Sequence, residues 1–269
     1  MRAKQILFAG TLLILFSSCQ KVIDVNLNDA KPQYVIEGSI YEGMHPCRVR
    51  VTLTSSYFGN DVPPAVNDAV VTLNDPNSGV ITLNATGNGW YETAPFNAIA
   101  NTTYELNVSA GGKSFTATST LPYPIAIDSL SSRPFGGFGP PDPKRGTELL
   151  LIHFKDTVGI KNYYRVVATQ NDTILNKPEN YYIFDDQIRD GLQIDAPLFT
   201  SLFRKGDKVD IELLGMDAAV YDYFTTLSDA LSGDANTGAA PANPNSNFNN
   251  GALGYFAAYT SSKKSIVIP

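Results

Sequence analysis

The sequence predicts an all-β protein with two immunoglobulin-like or transthyretin-like β-sandwich domains and one short helix in the second domain. From Tyr34 onward, short runs of alternating apolar and polar residues recur between turns rich in Gly, Asn and Pro. One stretch, 218–231, instead repeats its apolar residues with helical spacing. Pro122 and Pro124 hold the chain extended between two strand-rich regions. We therefore expect one sandwich at 34–121 and a second at 125–269.

The first residues indicate where the protein is sent. Arg2 and Lys4 precede an apolar run, 6–16, which is too short to cross a bilayer because a spanning helix needs about 20 residues. Two serines and Cys19 follow this run, so 1–18 is predicted to be a secretory signal peptide. A cysteine at the junction resembles a bacterial lipobox, in which the thiol is acylated. The alternative is an ordinary signal peptide with a chance cysteine.

Residues 19–33 are predicted to form a lipidated tether between the membrane and the first strand. Without 1–18, the chain keeps 18 basic and 26 acidic side chains, a formal charge of about −8. This charge argues against nucleic acid as a partner, because nucleic-acid binding relies on basic surfaces. The expected location is the outer membrane, through lipid on Cys19. A partial match at Gln20-Lys21 to a surface-export tract leaves both the periplasmic and the surface-facing side open.

The first predicted domain contains seven strands. They are expected at 34–41, 47–55, 69–74, 80–85, 90–94, 103–109 and 113–120. Cys47 begins a strict apolar/polar alternation and is expected to be a buried small hydrophobe. Trp90 and Tyr91 are expected to be the large core side chains of this domain.

The second predicted domain contains strands and the helix. The strands are expected at about 125–130, 147–154, 162–170, 181–185, 208–214, 254–260 and 265–268. Asp217 can cap the helix 218–231. An apolar stripe follows on one helical face. It consists of Val220, Phe224, Leu227 and Leu231.

Two long segments, 131–146 and 233–251, do not fit the strand pattern. Structureless segments of this length in compact domains tend to be functional or disordered. The first contains Phe135 and Phe138 among glycines and prolines. These rings are candidate partner contacts, because aromatic side chains often anchor interfaces. The alternative is that both rings cap their own sandwich.

No enzymatic signature is present, so the sequence predicts no catalysis, no cofactor and no metal. There are two histidines, and the usual zinc, serine-nucleophile and redox motifs are missing. His153 lies in a predicted strand, where a structural histidine is favoured over a catalytic one. An acidic set lacks the spacing of a calcium loop, and a turn with solvated charges is favoured for it. The set is Asp185, Asp186, Asp190 and Asp195.

Three tripeptides are candidate sites for O-glycosylation. Ser129, Thr157 and Thr173 each follow an aspartate and precede an aliphatic residue. This Asp-Ser/Thr-aliphatic pattern resembles the acceptor used in the Bacteroidota periplasm. The pattern is short, so chance matches are the alternative.

The chain as a whole resembles a family of uncharacterised Bacteroidota outer-membrane lipoproteins, defined only as a domain of unknown function. The matching segments are Cys19–Asp24, Tyr34–Gly38, Asn162–Arg165, Gly206-Asp207, Tyr221–Phe224, Asn243–Asn247 and Gly251–Phe256. The resemblance implies an association with TonB-dependent outer-membrane receptors, and it implies no catalytic residues. It also implies that Gly251–Phe256 is ordered and that the Asn-rich segment before it packs on the sandwich.

Three functions follow as hypotheses. The first is a lipid-anchored accessory or binding protein of a TonB-dependent transporter, without catalysis. The second is a surface adhesion or structural lipoprotein. The third is an enzyme, mainly a hydrolase, which the missing motifs disfavour. Co-purification with an outer-membrane barrel distinguishes the first from the second.

Overall fold

The computed structural model describes residues 31–55, 62–135, 146–177, 181–187, 189–232 and 243–269. Among these described residues, ten strands precede the predicted domain boundary. They are Tyr34–Tyr41 (β1), Gly43–His45 (β2), Arg48–Leu53 (β3), Val70–Asp75 (β4), Gly79–Thr82 (β5), Asn84–Gly87 (β6), Trp90–Glu92 (β7), Phe96–Ala98 (β8), Thr102–Ala110 (β9) and Lys113–Leu121 (β10). The predicted all-β class is confirmed, and a β-sandwich-like fold agrees with the arrangement of the sheets.

In the described part of the chain after this boundary, eight further strands and a helix follow. They are Ile127–Pro134 (β11), Glu148–Lys155 (β12), Tyr163–Gln170 (β13), Thr173–Ile174 (β14), Tyr182–Asp185 (β15), Gln193–Pro197 (β16), Lys208–Met216 (β17), the helix Ala218–Ser232 (α1) and Leu253–Val267 (β18). The helix predicted at 218–231 is thus confirmed. The strands predicted at 254–260 and 265–268 are one continuous strand of 15 residues, which corrects that prediction.

A nine-stranded sheet runs through the molecule in the order β14-β13-β17-β18-β1-β3-β7-β6, with β15 also paired to β13. β18 pairs in parallel with β1 and antiparallel with β17. The division at Leu121–Pro124 falls between β10 and β11. The division of the chain into two domains stays a prediction. The hydrogen-bonded sheet is nevertheless continuous across this boundary, because β18 pairs with strands from both predicted domains.

The first core lies between this sheet and a four-stranded sheet of order β10-β9-β4-β5. Cys47 is fully buried in it, as predicted. At Gly38 the two layers approach closely, because an added Cβ would lie 2.9 Å from a side-chain carbon of Leu106. The prediction for Trp90 is wrong: Tyr91 is buried, whereas Trp90 is 38% exposed. Neighbouring residues of a strand point to opposite faces, so only one of the two can enter the core.

The second core lies between the other half of the large sheet and a three-stranded sheet of order β11-β12-β16. Phe154 and Tyr164 meet edge to face at 5.1 Å between ring centroids, a favoured arrangement for aromatic pairs. Ile152 and Ile194 are buried in the same core. This core packs against the inner face of β11, β12 and β16. Polar side chains on the outer face of these strands therefore lie on a packed layer.

The helix α1 covers the opposite face of the large sheet. Val220 and Phe224 pack with Ala257 and Tyr259 of β18, whereas Phe256 faces the first core. Leu227 packs against the same cluster as expected. Leu231, the fourth residue of the predicted stripe, is 50% exposed and lies at the end of the helix.

The described part of the Asn-rich segment, 243–251, packs on the sandwich, as the resemblance implied. The side-chain amide of Asn247 donates to the carbonyls of Thr118 and Phe256 at 3.1 and 2.8 Å, and its oxygen accepts from the Phe256 N–H at 3.0 Å. Asn249 exchanges similar bonds with the backbone of Thr116. Both asparagines therefore form hydrogen bonds with backbone groups of β10. Without them, these backbone groups would be unpaired at a sheet edge.

Candidate functional site

Three polar side chains form a hydrogen-bonded row across the three-stranded sheet. Ser131 lies on β11, His153 on the central strand β12 and Asp195 on β16. The Ser131 hydroxyl is 2.7 Å from His153 Nε2, and His153 Nδ1 is 2.6 Å from Asp195 Oδ1. We call this set the Ser-His-Asp row.

The strand register places these residues together. His153 and Asp195 are directly opposite in the antiparallel pair β12–β16. Ser129 is opposite His153 in β11–β12, so Ser131, two residues further on, is its diagonal neighbour. All three side chains therefore lie on the outer face of the sheet, away from the second core.

The hydrogen bonds determine the tautomer of a neutral His153 ring. An ionised carboxylate only accepts, so Nδ1 carries the proton toward Asp195. Nε2 then has a free lone pair and accepts from the Ser131 hydroxyl. In this state the imidazole can receive the serine proton, while the carboxylate orients the ring.

The row is accessible. The side chain of His153 is 22% exposed and that of Asp195 is 57% exposed. Ser131 is half-buried. A structural histidine and a catalytic one both use hydrogen bonds to both ring nitrogens.

A cavity of about 240 Å³ adjoins the row and shares Asp195 with it. It is lined by residues of β15, of β16 and of the chain between these two strands. Its wall includes the rings of Tyr182 and Phe184, whose centroids are 5.0 Å apart, and the side chain of Arg189. The cavity therefore combines an aromatic surface with charged groups of both signs.

The predicted acidic set is divided in the structure. Asp186 and Asp190 meet Asp156, and one ligand atom from each lies within 4.8 Å of the others. Asp195 instead belongs to the Ser-His-Asp row. Asp185 lies 3.9 Å from Lys161.

Hydrogen bonds from the protein occupy the buried acids of this cluster. Asp156 accepts from the Tyr164 hydroxyl, the Asn162 amide and the Gly191 N–H, and Asp186 accepts from the Asn162 N–H. Burial raises the pKa of the Asp186 carboxyl, and the negative charge of Asp156 adds to the rise. The buried carboxyl groups of Asp156 and Asp186 therefore have hydrogen-bond donors within the protein, although the two acids lie side by side.

The predicted partner contacts are partly described. Phe135 follows β11 and is half-buried, and its ring meets that of Phe199 at 6.0 Å between centroids. Phe199 is 57% exposed. Phe138 and Cys19 lie outside the described residues.

The three glycosylation candidates differ in exposure. Ser129 on β11 and Thr173 on β14 are exposed. Thr157 is half-buried, and the acid before it, Asp156, is buried and hydrogen-bonded. Access by a modifying enzyme therefore favours the first two positions.

Comparison with known proteins places this β-sandwich chain in a family. A profile described as a domain of unknown function, DUF4249, matches residues 20–265. The chain belongs to the DUF4249 family. No curated protein is significantly similar to it. Among the described residues, no helix combines the length and the apolar character needed to span a membrane.

Sequence reasoning did not find Ser131 or connect His153 to Asp195. The three residues come from three strands separated by long connections, so no short motif contains two of them. The nearest signal was the alternation in β12, which places His153 on the face opposite Ile152 and Phe154. The partners on that face depend on strand order and register, which the sequence pattern did not reveal.

Proposed function

We propose that the protein is a lipid-anchored outer-membrane binding protein and an accessory subunit of a TonB-dependent transporter. Its signal-like first residues, with Cys19 directly after a short apolar run, support the anchor. The resemblance to Bacteroidota lipoproteins supports the transporter as partner. This role requires binding and no chemistry.

One structural observation carries the binding role: the aromatic pair Phe135–Phe199. Phe199 exposes 57% of its surface, and its ring meets the ring of Phe135 with 61° between the two planes. Both residues lie at the same end of the three-stranded sheet, because β11 and β16 each end there beside the start of β12. A large ring already held in place loses little conformational freedom on docking, which favours an interface anchor.

The anchor is tested by fractionation of the Cys19→Ala variant. We expect it to leave the membrane fraction and to lose incorporated lipid label. Cys47→Ala is the matched control, because it removes the other cysteine, which is buried. If Cys19→Ala remains in the membrane fraction with unchanged lipid label, the proposed anchor is wrong.

The partner is tested by co-purification from solubilised membranes of the native host. The wild-type protein should bring an outer-membrane barrel with it, and the double variant Phe135→Ser/Phe199→Ser should lose that barrel without a large change in melting temperature. Val80→Ser is the control, because Val80 is 70% exposed on β5, in a different sheet. We expect it to keep the barrel.

Other results would point elsewhere. A retained barrel with a melting temperature lowered by several degrees would mean that the two rings stabilise their own sandwich. If no barrel accompanies the wild-type protein, the alternative of a surface adhesion or structural lipoprotein is favoured.

A further inference from the structure

We propose that Ser131 is an activated nucleophile for acyl transfer and that the Ser-His-Asp row hydrolyses carboxylic esters. This activity goes beyond the binding role and does not depend on it. The row joins the serine oxygen to Nε2 and the carboxylate to Nδ1, at 2.7 and 2.6 Å. That order of atoms is the one in which a serine, a histidine and an aspartate cooperate in acyl transfer on several unrelated folds.

The row is held by a rigid layer. Its residues alternate with core residues along each strand: Leu130 lies before Ser131, Ile152 before His153 and Ile194 before Asp195. These neighbours pack in the second core, so the strands cannot rotate independently. A reactive group on packed strands keeps its geometry better than one on a loop, and this favours a preorganised site.

The chemistry balances with water as the only co-reactant. The Ser131 oxygen attacks the ester carbonyl carbon while its proton moves to His153 Nε2. The bond between that carbon and the alcohol oxygen then breaks, and the alcohol leaves with the proton from Nε2. Water next attacks the acyl group on Ser131 and gives its proton to Nε2. The acid departs, and Ser131 recovers its proton from His153.

The exposure of Asp195 sets the expected rate. A carboxylate that is 57% exposed is screened by water and stabilises the charged imidazole less than a buried one would. We therefore expect a slow activity that shows best with reactive probes. A fluorophosphonate, which modifies activated serines, and p-nitrophenyl acetate are the probes of choice.

Labelling tests the nucleophile directly. Wild-type protein treated with the fluorophosphonate should carry the label on Ser131 in a peptide map, and Ser131→Ala should carry none there. The matched control is Ser129→Ala. Ser129 lies two residues away on the same strand, is exposed and is opposite His153. Labelling of Ser131 should be unchanged in this control.

The role of His153 is tested by rate. His153→Ala should lower both the labelling rate of Ser131 and the hydrolysis of p-nitrophenyl acetate by about 100-fold or more, and added imidazole should restore part of each. Asp195 is a positioning residue. Asp195→Asn should lower both rates by about tenfold or more, and Asp195→Glu should restore part of them. Melting curves confirm that each variant is folded.

Two results would overturn the proposal. One is a wild-type protein without label on Ser131. The other is a labelling rate that is the same in folded His153→Ala or Asp195→Asn as in wild type. In either case the row is a structural hydrogen-bond ladder. Since Asp195→Asn is isosteric, it decides the question even if His153→Ala does not fold.

Discussion

The Ser119 hydroxyl donates a 2.7 Å hydrogen bond to Asp217, although 98 residues separate them. The same carboxylate oxygen accepts the Thr120 N–H at 2.7 Å, and the other oxygen caps α1 by accepting the Val220 N–H at 2.9 Å. The Ser119 oxygen accepts in turn from the Ala258 N–H at 2.9 Å. One side chain thus connects β10, α1 and, through Ser119, β18.

Removal of this carboxylate should destabilise the fold. Asp217→Ala leaves a helix cap and two donors on β10 unpaired, so we expect the free energy of unfolding to fall by about 2–3 kcal/mol. Asp217→Asn should lose less, because its amide oxygen can still cap the helix. Urea unfolding measures both, with exposed Asp68→Ala as control. A loss for Asp217→Ala no larger than for Asp68→Ala would contradict this prediction.

Gly254 should tolerate no side chain. Its φ is +94°, and an added Cβ would lie 2.0 Å from the carbonyl oxygen of Ile36 on β1. Gly254→Ala should therefore lower the free energy of unfolding by about 4 kcal/mol or more. Gly112→Ala is the matched control, since Gly112 has φ +74° but open space around it. Its expected loss is about 1 kcal/mol. Equal losses would mean that the contact with Ile36 relaxes freely.

Cys47 should be inert in the folded protein. It is fully buried, and burial raises the pKa of its thiol, so the reactive thiolate is disfavoured. In a Cys19→Ala background, a bulky thiol reagent should label the protein quickly in guanidinium and very slowly without it. Val49→Ala in the same core should raise the native rate, because the resulting cavity lowers stability. Rapid labelling of the native Cys19→Ala protein would show that this core is not closed.

We expect the contribution of Asp186 to the free energy of unfolding to fall as pH rises. Its folded pKa is raised above the ordinary 3.8, chiefly by burial and also by Asp156. Between those two pKa values the folded state binds more protons than the unfolded state, so the contribution of Asp186 to stability is lost as pH rises through this window. The stability of Asp186→Asn relative to wild type should therefore increase with pH and then level off.

Urea unfolding at a series of pH values measures this difference. Exposed Asp68→Asn serves as control, because it removes one negative charge without changing the buried cluster. A constant difference between Asp186→Asn and wild type across the series would show that Asp186 does not titrate abnormally.

The exposure of the three glycosylation candidates predicts the order in which they would be modified. If the native host modifies the chain, Ser129 and Thr173 should carry glycan before Thr157, because they are exposed. The intact mass of the native-host protein, followed by peptide mapping, measures occupancy. A mass equal to peptide plus lipid would exclude modification at all three residues.

Local sequence patterns predicted the single elements well. The strand at Tyr34–Tyr41 and the helix begun by Asp217 follow from alternation and capping, which depend on neighbouring residues. The end of β18 did not follow, because its Ser-Ser-Lys-Lys stretch at 261–264 is polar and resembles a turn. Backbone hydrogen bonds to β17 extend the strand through it. The Ser-His-Asp row could not be predicted for the same reason, since cross-strand register decides which side chains meet.

The pairing of β1 with β18 has a consequence for how the chain reaches its native state. These two strands are parallel neighbours at the centre of the large sheet, yet more than two hundred residues separate them in sequence. Contacts between such distant segments slow folding, because a long loop must close before they form. The N-terminal strands cannot complete their sheet while β18 is still being synthesised. The edge of β1 that faces β18 therefore lacks its partner strand until residues 253–267 have been made, although β3 can already pair with the other edge of β1.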